Sequence, residues 1–146
     1  MNSETKTIQV TLETLLDSVD LAEDITVRVA EAAGFDEEDR HRIGISVREG
    51  VINAVVYGNA QQREKKVVLT LEFAPKRLVI HILDEGKGFD LSQVADPLAE
   101  ENLLKSSGRG ILLMRSFMDE FDVIRGSTGG AEVIMTKRAT PAPPAE

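Results

Sequence analysis

The chain reads as an α+β protein: a two-layer α/β sandwich with a mixed, mostly antiparallel sheet and helices on one face. Three observations predict it. Strand patterns come in groups, with Val67 to Phe73 and Arg77 to Leu83 joined by the turn Ala74-Pro75-Lys76, and Glu120 to Arg125 followed by Glu132 to Lys137. Helix patterns precede each group instead of alternating with single strands. The 146 residues, 42% of them hydrophobic, make one domain with enough apolar side chains for a single core. A sheet and helices that each carry one apolar face bury both by stacking as two layers. Periodicity does not fix the strand order.

Ile8, Val10 and Leu12 alternate as a first strand. From Val19 to Ala33, apolar residues at Leu21, Ala22, Ile25, Val29 and Ala32 mark a helix closed by Gly34. Asp36 is the expected N-cap of a long second helix, with Asp39 three residues on. That helix carries Glu49 and Asn53 and ends near Gly58-Asn59. The two central strands follow, and a third helix runs from Gly110 to about Met118 before the final strand pair. The domain is expected to span 1–138. The remaining 139–146, rich in proline and alanine, reads as a disordered tail.

Net charge is −8, which argues against nonspecific binding to nucleic acid or an anionic membrane but permits a protein partner with a basic face. With no cysteine there is neither a disulfide framework nor a thiolate zinc site. The two histidines, His41 and His81, fall in a helix and a strand pattern, and His81 reads as a packed strand residue. No segment has transmembrane length and the first residues lack a signal-peptide core, so the cytoplasm is the expected location.

Three separated motifs carry the chemistry. Glu49 and Asn53 stand one helical turn apart on a helix that is apolar nearly all round. Buried polar groups need partners, since leaving one unpaired costs about 1–3 kcal/mol. Magnesium with nucleotide phosphates would satisfy this pair, as would neighbouring backbone or a buried water. Asp84 ends an apolar strand pattern and is followed by Gly86 and Gly88. A carboxylate there can accept a hydrogen bond from an exocyclic amine while glycine backbone lies close to a flat base; an ordinary turn leaving a strand has the same residues. Gly108 and Gly110 open a helix, where free N–H groups and the helix dipole favour phosphate, with Lys105 and Arg109 as nearby cations. The alternative is a loop whose glycines only release the chain into the helix. Between the second and third motifs, Asp90 to Ser107 has the length of an active-site lid or of a surface loop.

In this order, Glu-x-x-x-Asn, Asp-x-Gly-x-Gly-Phe and Gly-x-Gly-Ile-x-Leu-Met resemble the gyrase/histidine-kinase/MutL superfamily of ATP-binding domains, with the Bergerat-type fold. Asp96-Pro97, Glu101-Asn102-Leu103, Ser107 to Ile111 and Leu113 to Glu120 are most similar to the anti-sigma-factor serine/threonine kinases of bacterial partner-switching systems. The likeness runs from about Ile8 to Lys137. It implies Asn53 as the magnesium ligand and Glu49 as the general base. It further implies Asp84 on the adenine amino group, Gly86 and Gly88 shaping the base pocket, and Gly108 and Gly110 presenting amides to the phosphates. The implied cofactors are ATP and Mg2+. The implied partners are a small anti-sigma-factor antagonist, which is the phosphorylated substrate, and a sigma factor or other regulatory target. A homodimer is implied as well, with no direct nucleic-acid or membrane contact.

Three positions depart from the family pattern. Tyr57 stands where many relatives have His, and Ser106 where some have Arg. Ala131 replaces a Thr whose hydroxyl supports the adenine-binding carboxylate, which bears on the strength of ATP binding and on turnover. Two other readings follow from the same residues: a nucleotide-binding regulator that sequesters a partner without phosphoryl transfer, and a detached histidine-kinase catalytic domain. No dimerisation helix with a phosphoacceptor histidine accompanies the latter.

Overall fold

A computed structural model describes residues 5–86 and 108–139. The chain runs β1 (Lys6–Glu13), α1 (Asp17–Ala32), α2 (Glu37–Ile52) continuing into a π-helical turn (Asn53–Gly58), β2 (Lys66–Ala74), β3 (Arg77–Leu83), α3 (Gly108–Phe117), β4 (Glu120–Arg125) and β5 (Ala131–Arg138). The five strands form one sheet in the order β1-β2-β3-β5-β4. Every pairing among the described residues is antiparallel. The expectation of a mixed sheet is corrected here: β5 returns as a hairpin partner of β4 and lies antiparallel to β3, so no parallel crossover is needed.

One face of the sheet carries the core. Leu12, Val67, Leu69, Leu71, Leu78, Ile80, Ile82 and Met135 alternate along their strands and are buried against Val19, Ala22 and Val29 of α1, Ile43, Val47 and Val51 of α2, and Met114 of α3. Burying each of the larger aliphatic side chains is worth about 1.5–3 kcal/mol, which holds the helices on this side. Gly50 permits the closest approach of helix to sheet, since a Cβ there would fall 2.5 Å from Ile82 Cδ1.

The signals that delimit the elements act as local chemistry requires. Asp36 accepts the Asp39 N–H at 2.8 Å and caps α2, satisfying one of the free donors of its first turn. Gly34 takes a φ of +96° after α1, a conformation that L side chains rarely adopt. Arg48 of α2 reaches back to α1, 2.6 Å from Asp20 Oδ1 and 2.9 Å from Glu23 Oε1; these carboxylates hold its guanidinium pKa above the ordinary value, Asp20 foremost.

At the far end of α3, Lys137 donates to the Phe117 carbonyl at 2.9 Å, with the buried Asp39 3.9 Å away, tying β5 to both α2 and α3. On the opposite face of the sheet His81 is a packed strand residue. Its Nδ1 is 2.9 Å from Glu132, and its Nε2 lies equally close to Glu72 but out of hydrogen-bond alignment.

Candidate nucleotide site

The long second helix does not end as an α-helix. From Asn53 to Gly58 it widens into a π-helical turn, with the Asn59 N–H returning to the Ala54 carbonyl at 2.8 Å. Such turns often occur at functional sites. Here the turn sends Asn53, Ala54, Tyr57 and Gly58 to the wall of a cavity of about 520 Å³, within the usual range for small-molecule pockets. Ile82 of β3, Val133 of β5, Phe121 and Val123 of β4, and Ile111 and Met114 of α3 supply apolar walls. Among the described residues that line it, Asp84 is the one carboxylate.

Asp84 is 5% exposed and tightly held. Its Oδ1 accepts the Gly86 N–H at 2.9 Å and the Ala131 N–H at 3.0 Å. Its Oδ2 makes no hydrogen bond among the described residues. Glycines enclose the group: a Cβ at Gly58 or at Gly130 would overlap the carboxylate, and one at Gly86 would overlap the Gly58 carbonyl. The missing hydroxyl at position 131 therefore does not leave Asp84 unsupported, because the main chain of Ala131 supplies the donor instead.

The first and third motifs meet on the other side. Glu49, half-buried on α2, faces the first turn of α3: a Cβ at Gly110 would fall 2.7 Å from Glu49 Oε1. Gly108, Arg109 and Gly110 form that turn, so α3 begins two residues earlier than its apolar pattern indicated. Asn53, one helical turn beyond Glu49, lines the cavity. Of the residues singled out from the sequence, Asn53 and Asp84 line the cavity, Gly86 packs on the lining residue Gly58, and Glu49 and Gly110 face each other next to the lining residues Gly50 and Ile111. Gly88, Lys105, Ser106 and the segment Asp90 to Ser107 lie outside the described residues, as does the tail from Thr140.

Several contributors escaped the sequence reading. Gln62 and Lys65, in the loop before β2, also line the cavity. Asn59, noted only as the end of a helix, is fully buried beneath Asp84, and Thr128 reaches Asp84 from the β4–β5 turn. A polar residue just past a helix end was the only available signal for Asn59, and Thr128 becomes relevant only once strand register is known.

The cavity fits a nucleotide on these grounds: its volume, its apolar walls, the Asp84 carboxylate among its lining residues, and a helix N-terminus facing Glu49 one turn from Asn53. Among the described residues no group of three or more His, Asp or Glu could hold a metal by itself. Magnesium in phosphate sites commonly uses one or two protein ligands together with the phosphates, and the Asn53 amide oxygen suits that arrangement.

The model for the histidine kinase-like ATPase domain matches residues 12–137, and the chain belongs to this family of ATP-binding domains. Its relatives include the anti-sigma F factors of Bacillus thuringiensis (strain Al Hakam) and Bacillus anthracis (strain A0248), each 32% identical over 102 residues that cover 68% of this chain and 70% of theirs. Among solved structures, the RsbU and RsbW domains of a Mycobacterium tuberculosis protein share the fold with a TM-score of 0.67 at 18% identity, over 94% of this chain and 34% of that one. The catalytic domain of histidine kinase ThkA does so with a TM-score of 0.60 at 15% identity, over 93% and 99%.

Proposed function

We propose that the protein is an ATP-dependent serine/threonine protein kinase that acts as an anti-sigma factor in a bacterial partner-switching system, phosphorylating a small antagonist protein. The observation that carries this reading is that Asp84 and Asn53 line one cavity of nucleotide size, while Glu49 faces Gly110 in the first turn of α3. Similarity to anti-sigma F factors supplies the biological class.

In this reading Asp84 Oδ2 accepts a hydrogen bond from the exocyclic amine of adenine while Ile82, Met114 and Val133 pack around the base. Gly86 and Gly88 keep the backbone close to it. Gly108 and Gly110, with Lys105 and Arg109, hold the phosphates, and Asn53 holds magnesium, which when bound neutralises charge on the transferred group. Glu49 takes the proton of the attacking serine or threonine hydroxyl. Phosphoryl transfer rests on positioning and charge neutralisation, so the chain needs no nucleophile of its own.

A phosphate adds about −1.5 to −2 charges to the antagonist. Against a protein of net charge −8 this favours release, after which the kinase, as a homodimer, holds its sigma factor or other target. The test is transfer of labelled phosphate from ATP to the antagonist encoded in the same genome, with Glu49→Ala alongside. Wild-type transfer, lost in a Glu49→Ala protein that still binds ATP, supports the reading. Equal transfer by both removes the base assignment, and binding without transfer in the wild type leaves a regulator that sequesters its partner.

A further inference from the structure

The peptide bond that follows Asp84 is gripped from both sides by side chains. On one side the Thr128 hydroxyl donates to the Asp84 carbonyl at 2.6 Å. On the other, Asn59 Oδ1 accepts the Glu85 N–H at 2.7 Å. These are the two polar groups of a single planar unit, so the plane cannot rotate without breaking one of the two bonds.

Each gripping group is itself fixed. Asn59 is fully buried, and its Nδ2 donates to Thr14 Oγ1 at 2.9 Å and to the Lys66 carbonyl at 3.0 Å. A flipped amide would set its NH2 against the Glu85 N–H and its oxygen against the Lys66 carbonyl, so the orientation is unambiguous. The Thr128 hydroxyl, besides donating to Asp84, accepts the Gly130 N–H at 3.1 Å, which settles its rotor.

We propose that Asn59 and Thr128 are positioning residues for base selection: by clamping the Asp84–Glu85 peptide they aim the free oxygen of the Asp84 carboxylate at the base. This rests on the reading of Asp84 as the group that meets the exocyclic amine. The clamp works on the main chain of Asp84, whereas the Gly86 and Ala131 amides hold its side chain. Together they fix both ends of the residue.

The experiment measures affinity for ATP and for inosine triphosphate, which carries a keto oxygen in place of the amine, and takes their ratio. Thr128 is exposed in a turn, so Thr128→Val removes the hydroxyl with little change of shape or packing. The expected result is a fall in ATP preference of about 3- to 10-fold, the worth of one hydrogen bond, with affinity for inosine triphosphate little changed. Thr128→Ser restores the wild-type ratio. Asn59→Ala lowers the ratio in the same way. Should that variant fail to fold, Thr128→Val decides alone.

Asp36→Ala, which weakens the distant cap of α2, leaves the ratio unchanged and so separates positioning from loss of stability. An unchanged ratio in Thr128→Val, with the wild type discriminating and Asp84→Asn not, overturns the clamp alone. A wild type that binds both nucleotides equally overturns the reading of Asp84 itself.

Discussion

At Asp84, which lines the cavity, two backbone N–H groups occupy one carboxylate oxygen, and the other makes no hydrogen bond among the described residues. That division predicts what an amide would do there. In Asp84→Asn the amide oxygen stays on the two backbone donors, so the NH2 takes the outward position and meets the adenine amine donor to donor. ATP affinity should fall by more than tenfold while inosine triphosphate, with its acceptor, is retained or gains; calorimetry with both nucleotides checks this. Equal loss of both would remove the adenine contact. The glycines give a second residue-scale prediction. A methyl at Gly58 would overlap the Asp84 carboxylate, whereas one at Gly50 overlaps the flexible tip of Ile82 and meets Met114 and Met135 at ordinary contact distance. Gly58→Ala should therefore abolish nucleotide binding in a folded protein. Gly50→Ala should retain binding at some cost in stability, as circular dichroism and titration of the two variants would show.

At the scale of elements, α2 and its π-helical turn carry Glu49 and Asn53, and the Asp36 side chain caps the start of the helix. Asp36→Ala should cost about 1 kcal/mol, the usual value of an N-cap, read as a lower midpoint in urea with unchanged slope. Ile43, fully buried on the same helix, is worth more: Ile43→Ala should cost about 2–5 kcal/mol in the same measurement. These elements were legible in the sequence because their causes are local. Alternation at Ile8, Val10 and Leu12, the Asp36 cap, the Gly34 stop and the turn before Arg77 each reflect interactions within a few residues. The π-helical turn that starts at Asn53 was not legible, since Asn-Ala-Val-Val-Tyr continues an ordinary apolar helix pattern and no residue in it marks the change of hydrogen bonding. Strand order was hidden for the same reason: the pairing of β3 with β5 is a long-range choice that alternation within either strand does not encode.

The whole molecule joins three distant stretches of chain at one end of the sheet. The motifs around Glu49, Asp84 and Gly110 announced themselves by residue type and spacing, and the fold brings them to one cavity. Asn59 and Thr128 did not, because a buried amide and a turn hydroxyl acquire meaning only from the peptide they grip. Among the described residues no helix is long and apolar enough to cross a membrane. In the proposed reading this cavity binds ATP with magnesium through Asp84 and Asn53. Its most direct test is calorimetric titration of the wild type, Asn53→Ala and Asp84→Asn with ATP, with and without magnesium. The expected result is saturable, magnesium-dependent binding by the wild type, with the magnesium dependence lost in Asn53→Ala and affinity lost in Asp84→Asn. No binding by the wild type, or wild-type affinity in both variants, would contradict it.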